Sequence, residues 1–161
     1  MQENALWKAI WGLPLQNAEK KKIWRTCQNL LTTKENLLKR KVISDPFCPI
    51  CERDSETVLH VIWECPVTRD VWGCSDRKFQ KYGVKAMEFM QFAETMLSTC
   101  DEKEFRLFVK TSHKLWLRRN TWMYEKKFMA PQFMVQEIKH SLDEFDGVHE
   151  CNEQKLGDDT N

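Results

Sequence analysis

No apolar run in the 161 residues approaches the roughly 18 that span a bilayer, which excludes a membrane-crossing segment. Glycine is scarce, five residues, and none forms a phosphate-cradling run such as GxGxxG or GxxxxGK. The opening MQENALWKAIWG lacks a charged stretch followed by an apolar one, so it does not read as a secretory signal. The expected setting is the nucleus or cytoplasm, where thiols stay reduced. An excess of one charge is also missing: 25 Lys and Arg face 24 Asp and Glu. That balance excludes a basic clamp or an acidic tail as a description of the whole chain. Alternating β-branched runs are nearly absent, so sheets are not expected. Paired catalytic groups are lacking too. Asp70, Asp76 and Asp143 fall in no recognisable pattern, and the chain does not read as an enzyme.

Helical periodicity, by contrast, is common. Residues 18–31 set Ile23, Trp24, Cys27, Leu30 and Leu31 on one face, with Lys20, Lys21, Lys22 and Arg25 mostly off it. Thr32-Thr33-Lys34-Glu35 has capping-box form and predicts a short helix with Leu37 and Leu38. Residues 54–65 predict another, capped by Asp54 or Ser55 and stopped by Pro66, which can itself open the next turn. Residues 73–84 read as a connector. Residues 101–126 place Phe105, Phe108, Val109, Ser112, Leu115, Trp116 and Met123 on a long stripe, with Asp101 as cap. Pro131 opens a last helix carrying Val135, Ile138, Leu142 and Phe145. The expected class is mostly α: a small helical domain organised around the Cys3His cluster of Cys48, Cys51, His60 and Cys65, then a C-terminal helical segment. Its parts are a basic helical lead-in (1–45), the knuckle (46–73), a helical segment (84–146) and a disordered polar tail (147–161). The lead-in holds nine Lys and Arg against four acids.

The knuckle rests on four of the residues that zinc takes. Seven cysteines in a reducing setting need another explanation than disulfides, and an odd count leaves one over in any pairing. Cys48, Cys51, His60 and Cys65 follow C-x2-C-x8-H-x4-C, and Cys3His is a standard structural set for one zinc ion. Cys48 and Cys51 flank a tight turn. His60 and Cys65 are five apart, about 140° of rotation in a regular helix, so the helix must end between them. A closed four-ligand set leaves no open position for water or substrate. Cys27 reads as core. Cys74, Cys100 and Cys151 fall in connectors or the tail, and His113, His140 and His149 have no partner pattern.

The stretch from Leu6 to about Trp72 resembles the zinc-binding domain of plant non-LTR (LINE-type) retrotransposon polyproteins, which follows the reverse transcriptase and precedes an RNase H region. The matching motifs are ALWKAIWGL, KIWRTCQNLLTTKENLLKRKV, CPIC, ETVLHVIWEC and DVW. KLWLRRNTWMYEKKF is similar to the helix leading toward RNase H in such polyproteins. Ile23 stands where an aromatic is usual, and Thr32 where proline is frequent. No Tyr-x-Asp-Asp polymerase motif occurs. The chain reads as a fragment of a polyprotein, or a separate product of a decayed element.

The resemblance implies a module that binds nucleic acid, RNA in preference. Lys20, Lys21, Lys22, Arg25, Lys39, Arg40 and Lys41 are the candidate phosphate contacts, and Phe47 or Trp63 the candidate stacking rings. The alternative is a zinc-stabilised interaction or scaffolding module, docking on a polymerase or other domains of the parent element. Seven tryptophans in a short chain suit that reading.

Overall fold

The computed structural model describes residues 2–80 and 88–158. Among them there is no strand, only an isolated antiparallel bridge between Phe47 and Ser55. The helices are α1 (Gln2–Gly12), α2 (Asn17–Cys27), α3 (Lys34–Lys39), a single π-type turn (His60–Glu64), α4 (Pro66–Ser75), α5 (Arg77–Gln80), α6 (Phe89–Thr99), α7 (Glu102–Glu125) and α8 (Pro131–Asp158). No described helix is long and apolar enough to cross a membrane.

Local rules place most boundaries. Asp101 accepts from the Glu104 amide and Glu104 answers on the Asp101 amide, a reciprocal capping box that opens α7. Pro66 sits at the start of α4, where its missing N–H costs nothing. The cap of α3 is Thr33, not Thr32: its hydroxyl accepts from the Asn36 amide. The partner in the first turn is Glu56, whose carboxylate accepts from the Lys34 amide at 2.8 Å. Thr57, rather than Asp54 or Ser55, caps the next turn by accepting from the His60 amide. Leu30, expected on the buried stripe of α2, is 47 % exposed. The helix ends at Cys27, and Asn29 (φ 56°) turns the chain away. The connector expected at 73–84 is partly helical, since α4 runs through Gly73 and Cys74 and α5 follows; residues 81–84 lie outside the described ones.

The polar tail expected at 147–161 is corrected over 147–158, and residues 159–161 lie outside the described ones. α8 continues through Gly147 to Asp158. Buried Met134, Val135 and Ile138 anchor its first turns. Once nucleated, a helix adds residues at little cost, and Glu, Gln, Lys and Leu favour it. His140 and Glu144 pair at i, i+4, and Phe145 stacks on His149.

The buried residues form one cluster that runs from Leu6 through Ile138. Trp63 packs on Trp72 and Phe92, and Trp72 on Phe79 and Phe108. The lead-in, the knuckle and the C-terminal helices therefore share a core. Polar ties cross the same boundaries. Lys110 of α7 bonds Glu19 of α2 in a buried pair. Arg106 of α7 forks onto Asp146 of α8 and donates to the Pro14 carbonyl.

Candidate metal centre

The knuckle begins as a hairpin-like loop. The Cys48 amide donates to the Asp54 carbonyl at 2.7 Å, and the Glu56 amide to the Pro46 carbonyl at 2.8 Å. The Glu52 amide closes the turn on the Cys48 carbonyl, and Glu52 takes the left-handed conformation that this tight return demands (φ 58°). Cys48 and Cys51 thus face one point from either side of Pro49-Ile50.

His60 and Cys65 reach that point through the π-type turn. The Cys65 amide donates to the His60 carbonyl five residues back, at 2.8 Å. A regular helix would hold these side chains about 140° apart. The wider turn brings residues five apart onto the same side, and such turns recur at functional sites. The sequence reading expected an ordinary helix end here. The signal it missed lies downstream, in TRDVW. Widening the turn releases backbone carbonyls: Thr68 Oγ1 donates to the Val61 carbonyl at 2.9 Å, and Trp72 Nε1 to the Ile62 carbonyl at 2.8 Å. Cys65 is extended (ψ 129°), as the residue before a proline prefers, and sits at the N-terminus of α4.

The donor atoms of Cys48, Cys51, His60 and Cys65 all lie within 4.8 Å of one another. Cys51 Sγ is 3.4 Å from His60 Nε2, so Nε2 is the nitrogen turned to the centre. Sulfurs bound to zinc at about 2.3 Å stand ~3.8 Å apart on a tetrahedron, so a small contraction closes the set. Three of the four residues are buried and Cys51 is half-buried.

Proton energetics point the same way. The Cys65 thiol is held down at about 3 by the hydrogen bond from Cys48, which outweighs burial, with His60 adding to it. The amides of Val67 and Thr68, at the positive end of α4, favour the same thiolate. Cys48 is pushed up by the bond it gives Cys65 and by burial. Burial works against ionising Cys51, but the Arg53 and Asp54 amides and His60 lower it on balance. Burial pushes the His60 imidazole down, and its bonds to Cys65 and Cys51 prevail, raising it to about 9. Two of the three thiols, Cys65 and Cys51, are thus favoured as thiolates, the form a metal requires, while Cys48 keeps its proton by donating to Cys65.

A second layer was not legible as such in the sequence. Glu56, 0 % exposed, takes a two-point bond from Arg119 of α7, at 2.9 Å from Nε and 2.6 Å from Nη2. Trp122 Nε1, one turn further, donates to the Pro49 carbonyl inside the C-P-I-C turn at 3.1 Å. Helix α7 thus grips the knuckle at two places. The remaining cysteines stay apart from the cluster. Cys27 is core, Cys100 half-buried, and Cys74 and Cys151 exposed.

The expected nucleic-acid contacts divide. Lys21, Lys22, Arg25, Lys39, Arg40 and Lys41 are exposed, Lys39 beside Glu35 at 3.8 Å. Lys20 is not available: it is 9 % exposed and donates to the Trp11 carbonyl at 2.9 Å, its ammonium also over the Trp11 ring. Trp63 is not available either. It is 0 % exposed, beneath Trp72, Phe92 and the Arg69 guanidinium, so it cannot stack on a base. Phe47, beside Cys48, is 49 % exposed.

Such a closed Cys3His cluster defines a structural zinc centre in an α-helical domain. Residues 1–72 match the family described as zinc-binding in reverse transcriptase. No curated protein and no solved structure matches the chain. The chain carries one structural zinc ion. The matched part ends at Trp72, yet Trp72 and Trp63 are packed by Phe108 and Phe92, and Glu56 by Arg119. Helices α6 and α7 complete a core that the matched residues leave open.

Proposed function

We propose that the chain is a non-catalytic module of a retrotransposon-derived reverse-transcriptase protein, of the plant non-LTR kind, that contacts nucleic acid and prefers RNA. The observation that supports this most directly is the run of exposed cations on the two helices that lead into the knuckle. Lys21, Lys22 and Arg25 form no ion pair among the described residues, and Arg40 and Lys41 end α3 in solvent. Zinc closes the knuckle and takes no part in chemistry, and Glu56 ties the lead-in to the knuckle through the Lys34 amide. The cation-bearing helices have 11 and 6 residues. They suit backbone contacts to a single-stranded or structured RNA better than filling a DNA major groove. Phe47, half-exposed beside Cys48, is the ring this reading assigns to stacking on a base. Polymerase domains of the parent protein are the protein partners this reading implies.

The test is binding to single-stranded RNA, single-stranded DNA and duplex DNA over a salt series. Each lost phosphate contact removes about 0.7 from the slope of log affinity against log salt, so Lys21→Glu/Lys22→Glu/Arg25→Glu should flatten it by up to about 2.1. Zinc content should not change. Absence of binding to any of the three at low salt, with zinc present, would overturn the reading. A scaffolding module is the second reading, and the groove described next favours it.

A further inference from the structure

The C-terminal end of α7, the 126–130 link and the first turns of α8 enclose an open groove of about 860 Å³. It lies outside the residues that match the zinc-binding family. Its walls are largely apolar, and several are left in water: Leu117 is 39 % exposed, Phe128 38 %, Met129 43 % and Phe133 68 %. Methionines at such a surface adapt to varied apolar partners.

Arg118 lines this groove, although it is only 5 % exposed. Its guanidinium lies 4.1 Å from the Phe128 ring centre, and Nη1 donates to the Met129 carbonyl at 3.4 Å. Nε and Nη2 are buried with no hydrogen-bond partner. A buried cation with two empty donors is costly. Cys65 and Asp70 lie in its field, but neither accepts from it. Lys114 and Lys127 line the groove beside it with Glu137, and Lys127 also lies 4.0 Å from Glu125, so three cations face two acids. The groove is therefore apolar, net positive, and short of one anionic acceptor.

We propose that this groove receives an acidic amphipathic segment of a partner protein. Apolar side chains of the segment seat against Leu117, Phe128, Met129 and Phe133, and a carboxylate pairs with Arg118. A protein segment suits the site better than a small organic acid. Small-molecule pockets bury most of their ligand, whereas this groove is open and rimmed by large exposed side chains that only an extended partner covers. A guanidinium takes a carboxylate at two points, matching the two donors left free.

The experiment is selection of a phage-displayed random peptide library on the zinc-loaded full chain. The enriched peptides should carry an Asp or Glu among apolar residues at helical spacing. Phe133→Asp should weaken them at least about tenfold. Replacing the peptide carboxylate by its amide should cost about tenfold against the native chain and under about twofold against Arg118→Met. The Phe133→Asp and amide arms stand even if Arg118→Met does not fold. Failure to enrich any peptide, enrichment of peptides without an acid, or binding indifferent to Phe133→Asp would overturn the proposal. So would displacement of the peptides by dodecanoate at equal concentration, which would assign a small amphiphilic acid. Concentration-dependent dimers abolished by Phe133→Asp would assign the groove to a second copy and likewise overturn it.

Discussion

Arg119 and Glu56, 63 positions apart, meet in a two-point ion pair whose side chains are 4 % and 0 % exposed. Glu56 belongs to the knuckle loop and also accepts from the Lys34 amide at the start of α3. One carboxylate therefore joins the lead-in, the knuckle and α7. Removing one partner of a buried pair costs about 3–5 kcal/mol, because the other charge is left unpaired. Arg119→Met and Glu56→Gln should each lower stability by about that much in urea unfolding. The Glu56→Gln/Arg119→Met double variant should lose less than the two single losses added. Strict additivity would show that the pair is not coupled.

Trp63 is a core residue between Trp72 and Phe92. Trp63→Ala should cost about 3–5 kcal/mol of stability. In zinc-loaded protein held below its melting temperature, it should leave the proposed nucleic-acid affinity unchanged. A loss of affinity with full stability would instead mark an exposed ring.

The thiols outside the cluster should differ sharply in reactivity. Burial, with Glu94 adding, pushes Cys27 up to about 12. Cys74 and Cys151 are exposed. Alkylation of the folded protein at mild pH should label those two and spare Cys27. A thiol raised on folding keeps its proton longer in the native state than in the unfolded one. Cys27 therefore contributes stability that is whole below about pH 9 and falls as pH climbs toward about 12. Cys27→Ala should flatten that decline.

Gly147 lies inside α8, and a Cβ added there meets nothing within 4 Å. Gly147→Ala should raise helicity over 147–158 and stabilise α8 by up to about 1 kcal/mol. Circular dichroism that shows no gain would place the end of the helix before Gly147.

What the sequence made legible was local. Asp101 and Pro131 announced the two long helices, and the stripe from Phe105 to Trp116 announced the face of α7 that is buried. The metal cluster was legible because C-x2-C and H-x4-C are short spacings set by one turn each. Long-range pairings were not. Arg119 looked like one more exposed cation of a helix, and only the fold brings it to Glu56. Lys20 and Trp63 misled for the same reason, since a lysine triplet and a knuckle tryptophan fit a binding surface until packing closes over them. The π-type turn escaped because its supports, Thr68 and Trp72, act from the following helix. The polar stretch after Gly147 read as disordered because composition reports the lack of a buried face, and a helix extended from an anchored start needs none.

One zinc ion is held by Cys48, Cys51, His60 and Cys65. Zinc-edge X-ray absorption on the purified, reduced chain tests it most directly. About one zinc per chain is expected, with three sulfurs at about 2.3 Å and one nitrogen at about 2.0–2.1 Å. The same shell should persist in Cys74→Ser/Cys100→Ser/Cys151→Ser and vanish in Cys51→Ser/Cys65→Ser. A shell of four sulfurs or mostly oxygen, or full zinc retained in Cys51→Ser/Cys65→Ser, would contradict it.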